Sequence, residues 1–316
     1  MIEVLFTDTH FGWKNNSITW LNSQMDFIYK QFIPKIKELK KQNQVRVIHL
    51  GDVFDSRSTI STYVATKVVK AFSDIRNACD EFIIVAGNHD FYSPNNDTVN
   101  TIDLVMAHIG ITIVSQDVLE KDGNIYVPWY KWVDRESLNC KGENIFCHGD
   151  ILHESIPEWA LGKRIYSGHI HIPDNHRKLY NLGSCYSLNF ADSNSDRGFY
   201  VIHDRRVDFI KNEVSIKFYR FRNEEILYVD VEKLNANDYI ELYISETDLI
   251  KQSYIDAIKQ FTERFTHIWI IPQVVKFENV NESFELYNIE EMIEASIPEE
   301  LKHFFEQIKH RLNSNE

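Results

Sequence analysis

The sequence predicts an α/β fold in which strands and helices alternate around a sheet. Over the first two thirds of the 316 residues, short apolar runs rich in β-branched and aromatic residues alternate with amphipathic helical stretches. This alternation is typical of stacked β/α units. After Ser167 the predicted strands follow one another closely and are joined by short turns, which indicates a second sheet that completes the domain.

The elements of the first part are set by apolar runs and by helical spacing. The predicted strands are Ile2 to Thr7, Val45 to Leu50, Glu81 to Ala86, Ile111 to Val114, Ile125 to Val127, Asn144 to Cys147 and Arg164 to Ser167. The predicted helices between them are Ser23 to Lys41, Ser61 to Cys79 and Thr98 to His108. Pro34 can kink the first helix, because an interior proline removes a backbone donor and clashes with the preceding turn.

The rest of the chain predicts more strands and a small separate unit. The strands expected in the second sheet are Lys178 to Leu182, Gly198 to His203, Arg206 to Lys211 and Glu213 to Phe221. A βαβ pattern follows, with strands at Tyr239 to Ser245 and His267 to Gln273 around a helix at Thr247 to Phe265. Two short helices separated at Pro298 are expected over Ile289 to Leu312. We therefore expect a main domain over residues 1–222, a small α+β cap over 223–283 and a C-terminal helical segment over 284–316.

The composition is that of a globular protein. With 43% hydrophobic and 26% charged residues, the chain is not disordered, collagen-like or a coiled coil. Its 34 basic and 47 acidic side chains give a net charge of -13, so the chain as a whole does not attract a polyanion over distance. If it binds nucleic acid, local features or a partner must supply the attraction.

The cysteines and the apolar runs predict the cellular location. The four cysteines form no C-x-x-C pair, so we expect reduced thiols. No apolar run approaches the roughly 20 residues that a membrane helix needs, and Glu3 and Asp8 interrupt any signal-peptide core. These observations predict a cytoplasmic protein without a membrane association.

Five short polar motifs each follow a predicted strand directly. They are Asp8-Thr9-His10, Gly51-Asp52-Val53-Phe54-Asp55, Gly87-Asn88-His89-Asp90, His148-Gly149-Asp150 and Gly168-His169-Ile170-His171. Loops at strand ends carry the sites of α/β scaffolds. Any one motif alone could be a helix cap or an ordinary turn, but five in the same register make coincidence improbable.

The residue types in these motifs predict a metal centre that hydrolyses phosphoesters. Asp, His and Asn supply the oxygen and imidazole ligands that manganese, iron or zinc favour, and the absence of cysteine argues against a closed structural zinc site. Glycines beside the ligands permit tight turns and allow a phosphate to approach the backbone. A carboxylate shared by two ions, with further ligands for each, would activate water and neutralise a phosphoryl group.

The ordered set D-x-H, G-D-x-x-D, G-N-H-D, H-G and G-H-x-H resembles the calcineurin-like metallophosphoesterase superfamily over residues 8–171. Within it, the sequence is similar to the SbcD-type double-strand-break repair nucleases, and most of all to the phage recombination endonuclease subunits. The narrower similarity depends on Gly51 to Arg57, Gly87 to Asp90, Val127-Pro128-Trp129, Tyr166 to His171 and Asp196-Arg197-Gly198-Phe199. This resemblance implies a two-sheet β-sandwich flanked by helices, with the small cap and the C-terminal helices added to it.

The resemblance also implies roles for individual residues. One ion would be held by Asp8, His10, Asp52 and His171, and the second by Asp52, Asn88, His148 and His169, with Asp52 as the bridge. His89 would be the general acid or phosphate-orienting group, and Asp55 would orient His89, although some relatives have a histidine at the position of Asp55. Arg57 lies two residues past Asp55 in the same loop and is therefore expected to contact phosphate.

The activity implied is that of a Mn²⁺-dependent DNA exonuclease and endonuclease subunit of an SbcCD-like complex. It would hydrolyse phosphodiester bonds by a two-metal mechanism in DNA end processing, recombination and repair. The implied cofactors are two divalent ions, with Mg²⁺, Fe²⁺ or Zn²⁺ as alternatives to Mn²⁺. The implied partners are DNA and an SbcC-like ABC-type ATPase, with a homodimer of this chain inside a heterotetramer and the C-terminal helices gripping the ATPase.

Two other functions fit the motifs. A phosphatase or small-molecule phosphodiesterase of the same superfamily is one, but such phosphatases typically carry Arg-Gly after the second motif and Gly-Asn-His-Glu in the third. This chain has Ser56-Arg57-Ser58 and Asp90 at those positions. A non-catalytic scaffold is the other. His49 is expected to be a core histidine, and the lysines at 30, 35, 37, 40 and 41 are either a DNA-binding patch or a solvated helix face.

Overall fold

The computed structural model describes residues 1–93, 96–151 and 156–273. Its strands are β1 (Ile2–Phe6), β2 (Val45–His49), β3 (Glu81–Val85), β4 (Phe91–Ser93), β5 (Asn96–Asn100), β6 (Thr112–Val114), β7 (Leu119–Lys121), β8 (Asn124–Val127), β9 (Asn144–His148), β10 (Arg164–Gly168), β11 (Asp174–His176), β12 (Leu179–Asn181), β13 (Gly198–His203), β14 (Arg206–Lys211), β15 (Phe218–Arg222), β16 (Tyr239–Ser245) and β17 (His267–Gln273). Its main helices are α1 (Ile18–Asp26, continued by Phe27–Phe32 and Ile33–Lys40), α2 (Thr62–Ala78), α3 (Thr101–Met106), α4 (Trp129–Val133), α5 (Glu225–Tyr228) and α6 (Gln252–Arg264).

The first sheet has the strand order β14-β13-β1-β2-β3-β6. Strands β1, β2, β3 and β6 are parallel, so their carboxyl ends lie at one edge. On one face of this sheet Phe6, Val47 and Phe82 pack against Phe32 of α1 and Phe72 of α2. Burial of these amphipathic helices against an apolar sheet face supplies most of the stability of such a layer.

The second sheet has the order β11-β12-β10-β9-β8-β7, and its central strands β8, β9, β10 and β12 are parallel. Its inner face packs on the first sheet through one shared core. That core includes Leu5, Ile48, Ile83, Tyr126, Phe146 and Tyr166. The two sheets flanked by helices confirm the predicted fold class.

The membership of the second sheet differs from the sequence prediction. The strands at Gly198–His203 and Arg206–Lys211 were expected there, but they form the hairpin β13-β14 that pairs antiparallel beside β1 of the first sheet. The hairpin fits this position because β13 is apolar on both faces. Phe199 contributes to the core below the helices, and Tyr200 contributes to the core between the sheets.

Several elements also differ in detail from the sequence prediction: for example, α1 begins at Ile18 rather than Ser23, and α6 begins at Gln252 rather than Thr247. Residues 96–100 form β5, and α3 begins only at Thr101, because the Asn100 side chain accepts a hydrogen bond from the Asp103 main-chain N–H and caps the helix there. The strand expected in the second sheet over Glu213 to Phe221 begins only at Phe218, and it pairs instead with β16 in the three-stranded sheet β15-β16-β17. Helix α1 contains π-type turns over Phe27–Phe32, directly before the turn that holds Pro34, and such turns accommodate a missing backbone donor.

The predicted βαβ unit is confirmed. Strands β15, β16 and β17 form a parallel three-stranded sheet, and Ile240 and Leu242 pack with Tyr254 and Phe261 of α6. The helices predicted over Ile289 to Leu312 lie outside the described residues, and the proposed domain boundaries stay predictions. Within the part of the chain that the structure describes, no helix has the length and apolarity needed to cross a membrane.

Candidate metal centre

The five motifs meet where the carboxyl ends of β1, β2, β3, β9 and β10 face one another. Two main-chain hydrogen bonds join the loops after β1 and β2. The Asp8 N–H donates to the Gly51 carbonyl (3.0 Å), and the His10 N–H donates to the Asp52 carbonyl (3.0 Å). Asp8, His10 and Asp52 have φ angles of 52°, 39° and 56°, and His169 has 92°. Non-glycine residues rarely adopt this left-handed conformation, and where they do it often marks a functional site.

The first donor group consists of Asp8, His10 and His171. The Nε2 atoms of the two histidines lie 3.1 Å apart, and Oδ1 of Asp8 is 3.9 Å from His10 Nε2 and 3.8 Å from His171 Nε2. Nitrogen and oxygen ligands bound at about 2.0–2.2 Å to one ion lie about 3–3.5 Å from one another. The group is therefore within a few tenths of an ångström of the spacing that one ion requires.

The second donor group consists of Asn88, His148 and His169. Oδ1 of Asn88 is 3.0 Å from His148 Nε2 and 3.0 Å from His169 Nδ1. The Nδ1 of His148 is held by the Leu50 carbonyl at 2.5 Å, which directs Nε2 toward the group. These separations again match the ligands of a single ion.

Asp52 lies between the two donor groups. Its Oδ1 is 3.4 Å from His148 Nε2, and its Oδ2 is 3.7 Å from His10 Nε2. The side chain is almost completely buried, so the carboxylate has little contact with water. The structure thus brings all seven predicted ligands together, with Asp52 in the position of a shared one.

The charges of the site favour bound cations. Burial acts to raise the pKa of Asp52, but the neighbouring His148 outweighs it and the pKa is lowered. Burial acts to lower the pKa of His148, but the Asp52 charge raises it to about 9. The pKa of His10 is likewise raised against burial, by the carboxylates of Asp55, Asp52 and Asp8. His10 and His148 thus favour positive charge beside buried carboxylates, whereas burial lowers the pKa of His169 and of His171 and favours their neutral, metal-binding form.

The donor set fits two divalent ions. It contains carboxylate and amide oxygens and imidazole nitrogens, the ligands that first-row divalent metals accept. Asp8 with His10 and His171, and Asp52 with His148 and His169, each offer ligand atoms within 4.8 Å of one another. The seven residues are thus already gathered into the two groups that would hold the ions.

His89 is fixed from both its main chain and its ring. Its N–H donates to Asp52 Oδ1 at 2.8 Å, and its Nδ1 lies 2.7 Å from the main-chain carbonyl of Asp55. Because a carbonyl only accepts, Nδ1 carries a proton, and Nε2 is the nitrogen left for a substrate. The Asp55 carboxylate instead lies 3.6 Å from His10 Nδ1. Asp55 therefore contacts His89 through its main chain and His10 through its side chain.

Two tryptophans lie beside the centre, and Arg57 follows Asp55 in the loop after β2. Arg57 is partly buried, and it forms no hydrogen bond or ion pair with another described residue. The Trp13 ring lies 6.2 Å from the His10 ring, and the Trp129 ring lies 4.8 Å from the His169 ring. Trp13 was not assigned to the site from the sequence, whereas Trp129 was named only within Val127-Pro128-Trp129 as part of the narrower resemblance.

Asp90 is a functional residue whose role the sequence did not reveal. Its buried carboxylate accepts the main-chain N–H groups of Gly87, Asp52 and Val53, each at 2.9 Å. Burial, and then the Asp52 charge, raise its pKa to about 7. The carboxylate thereby ties the loop after β2 to the loop after β3. In the sequence, the one feature that could have indicated this role is the position of Asp90 at the end of the third motif.

His49 and Gly87 also support the loops. The Nδ1 atom of His49 accepts a hydrogen bond from the Gly51 N–H (3.1 Å), and its Nε2 atom lies 3.0 Å from Thr9 Oγ1. Both ring nitrogens thus have partners, which confirms that His49 is a core histidine with its hydrogen bonds satisfied. A Cβ at Gly87 would lie 2.3 Å from Asp52 Oδ1, so only glycine lets this loop approach the central carboxylate.

A family model and a phage protein agree with the motif resemblance. The model of the family described as calcineurin-like phosphoesterase matches residues 4–243. Exonuclease subunit 1 of Enterobacteria phage T4 is 23% identical over 232 residues, which cover 66% of this chain and 67% of that protein. Among solved structures, the phosphopantetheinyl hydrolase PptH from Mycobacterium tuberculosis aligns with 58% of this chain and 89% of that chain, at 14% identity and a TM-score of 0.33.

Proposed function

This chain belongs to the calcineurin-like phosphoesterase family, and from that premise we propose that it is a DNA exonuclease and endonuclease subunit that uses two divalent metal ions. The family consists of metal-dependent phosphoester hydrolases, and the observation that carries the proposal is Asp52 between two donor groups and in contact with His89. The choice of DNA is supported by the similarity to a phage exonuclease subunit and by Ser56-Arg57-Ser58 and Asp90 in place of the phosphatase pattern.

Each ion would have its own ligands. Asp8, His10 and His171 would hold one, Asn88, His148 and His169 the other, and Asp52 would contact both. Bound there, the ions would supply an activated water and positive charge against the phosphoryl oxygens. We propose Mn²⁺ because oxygen and imidazole ligands without thiolate suit it, and Mg²⁺, Fe²⁺ or Zn²⁺ are the alternatives.

The chain's own residues would bind and protonate the substrate. With Nδ1 of His89 engaged by the Asp55 carbonyl, a protonated His89 would present its Nε2–H to the departing 3′ oxygen of the scissile phosphodiester. Arg57 has a guanidinium without an ion-pair partner among the described residues, and it would pair with a phosphate oxygen. His89 lies within the third motif and Arg57 lies two residues after the second, which supports contact of both groups with one phosphate.

The proposal includes partners. We infer that the chain works in the cytoplasm with an SbcC-like ABC-type ATPase, as a homodimer within a heterotetramer. The net charge of -13 supports this, because a subunit that repels DNA over distance benefits from a partner that binds it. Removal of residues from Ile289 onward should leave an enzyme that loads metal and cleaves short DNA but no longer co-purifies with the ATPase. Undiminished ATPase binding by the truncated chain would contradict this role of the C-terminal segment.

One assay tests the proposed activity. The purified chain is incubated with linear and hairpin DNA in Mn²⁺ or in EDTA, with and without the ATPase, beside a small phosphodiester and a phosphomonoester. We expect Mn²⁺-dependent DNA cleavage that Asp52→Asn abolishes. Hydrolysis of the small esters without any cleavage of DNA would instead identify a phosphatase or small-molecule phosphodiesterase, and no hydrolysis by a metal-loaded chain would identify a scaffold.

A further inference from the structure

Six basic side chains collect at the amino ends of β9 and β10, the opposite ends from the metal centre. They line two adjoining cavities of about 530 and 290 Å³. We call this surface the basic end, and it consists of Lys141, Lys163, Arg164, Arg177, Lys178 and Arg205. Among the residues that line the two cavities, Glu143 is the one carboxylate.

The charge of the basic end is not cancelled within the described structure. None of its six side chains forms an ion pair with a carboxylate that the structure describes, whereas many other cations do, for example Lys121 with Glu81. Lys163 Nζ donates to the carbonyls of Cys140 (2.6 Å) and Gly142 (2.8 Å), which orient the ammonium but leave its charge.

The turns that carry these side chains are joined to one another. The Arg164 N–H donates to the Glu143 carbonyl at 3.2 Å, the Ile165 N–H to the Lys178 carbonyl at 2.9 Å, and Lys178 Nζ to the Gly162 carbonyl at 2.6 Å. The backbone of the basic end is therefore ordered before any ligand arrives. Preorganised cations lose less conformational entropy on binding than cations on free loops.

The basic end is too far from the metals to share a phosphate with them. Arg164 begins β10, and Gly168, which precedes the ligand His169, ends it. At about 3.3 Å per residue, the strand separates the two ends by about 13 Å. An anion bound at the basic end is thus a different group from the one at the metal centre.

We propose that the basic end binds the phosphate backbone of DNA, on a segment away from the scissile bond. The inference rests on the proposed function, because it takes the DNA substrate as the polyanion. Three of the six cations are arginines, whose forked guanidinium pairs with phosphate oxygens. Apart from Leu161, the larger cavity is lined by charged, glycine and asparagine residues, so it lacks the apolar centre that protein interfaces use. In a chain of net charge -13, this local concentration supplies the attraction that the whole molecule does not.

The test compares two full-length variants with the same change of charge. One combines Lys141→Glu, Arg177→Glu and Arg205→Glu, all at exposed residues. The matched control combines Lys67→Glu, Arg222→Glu and Lys259→Glu, which are exposed cations of α2, β15 and α6 outside both the basic end and the lysine-rich part of α1. Binding of a duplex of about 40 base pairs is followed by fluorescence anisotropy in EDTA at several salt concentrations, and hydrolysis of bis(p-nitrophenyl) phosphate is measured in Mn²⁺.

We expect the basic-end variant to lose about tenfold or more in duplex affinity, and its plot of log affinity against log salt to become shallower by about 2–3 units. The control should change far less, and both should hydrolyse the small ester at the wild-type rate. Equal losses in the two triple variants would overturn the inference, because they would show a nonspecific charge effect. The inference would also be overturned if a polyglutamate peptide displaced the labelled duplex as strongly as unlabelled DNA does. That result would favour an acidic protein partner for the basic end.

The result also separates this inference from the proposed function. Wild-type cleavage of DNA with no special effect of the basic-end variant would overturn only the inference. Basic-end-dependent DNA binding without any cleavage of DNA in Mn²⁺ would support the inference and overturn the nuclease function.

Discussion

The main-chain N–H of His89 donates a hydrogen bond of 2.8 Å to Oδ1 of Asp52. The loop after β3 thus holds the Asp52 carboxylate, which lies between the two donor groups. His89, which donates this hydrogen bond, also carries the imidazole ring that is available to the substrate. Asp90 reinforces the arrangement by accepting N–H groups from both loops. The proposed metal ligation and the proposed proton donation therefore depend on one junction between two strand-end loops.

Gly87→Ala should damage this junction. The new methyl group would lie 2.3 Å from Asp52 Oδ1 and 2.4 Å from Asp52 N, so one of the loops must shift. We expect losses of about 10- to 100-fold in metal affinity or activity, the range seen when supports of metal ligands are changed. Calorimetric metal titration and the nuclease assay measure these. Gly123→Ala is the control, since its Cβ meets nothing within 4 Å and its φ of +77° costs only stability, about 1 kcal/mol. Wild-type activity in Gly87→Ala would contradict the prediction.

His89→Ser should reduce the rate without removing metal. In the proposed site the ligand of this motif is Asn88, which lies 3.0 Å from His148 Nε2, whereas His89 would supply a proton or a phosphate contact. We expect both ions and DNA binding to be retained, with a loss of about 10²–10⁴ in kcat. The exposed His176→Ser serves as the control in calorimetry and in the nuclease assay. If metal is lost in proportion to activity, His89 is a ligand and the assigned role is wrong.

Arg57→Ala should weaken the binding of DNA. Its guanidinium has no hydrogen bond or ion pair with another described residue, so its removal leaves the fold and the metal ligands intact. We expect KM for DNA to rise about tenfold or more, the cost of one hydrogen bond to a charged group. Arg57→Lys should lie between the variant and the wild type, because it keeps the charge but loses the fork. An unchanged KM in steady-state cleavage of DNA would show that Arg57 does not contact the phosphate.

His49 should contribute to acid sensitivity of the fold. Burial, and then the charge of His148, lower its pKa from 6.5 to about 3. Between pH 6.5 and 3 the unfolded chain therefore binds a proton at His49 that the folded chain does not bind. The contribution of His49 to the free energy of unfolding is complete above pH 6.5, and it falls by up to about 1.4 kcal/mol per pH unit as the pH decreases from 6.5 to 3. His49→Gln should make this dependence shallower in denaturation experiments in EDTA, and the exposed His203→Gln should not. Equal slopes in the two variants would contradict the assignment.

Much of the fold could be predicted because each core strand is a short apolar run that ends in a polar motif. The order of strands within the sheets could not. A run such as Gly198–His203 shows that both faces will be buried, but it does not show which strand will pair with it. The start of α3 depended on one side chain, Asn100, whose capping bond the helical spacing of the following residues does not reveal.

The proposed ligands could be predicted because Asp, His and Asn are residue types that bind metal ions directly through their side chains. Their supports were not predictable from residue type alone. Asp90 acts through main-chain N–H groups of two different loops, and Asp55 reaches His89 through its carbonyl rather than its carboxylate. Such contacts appear only once the loops are placed in space. Which ions bind, and the roles of His89, Asp55 and Arg57 in the reaction, stay proposals that the experiments above test.

Anomalous diffraction from a crystal of the full chain soaked in Mn²⁺ tests the two-metal centre most directly. We predict two manganese peaks, one beside His10 and His171 and one beside His148 and His169. Asp52 should lie within bonding distance of both ions, through one carboxylate oxygen or through both. An Asp52→Asn crystal should show one or both peaks weakened while its fold is unchanged. Two fully occupied ions with Asp52 in contact with neither would contradict the bridging role and the mechanism that depends on it.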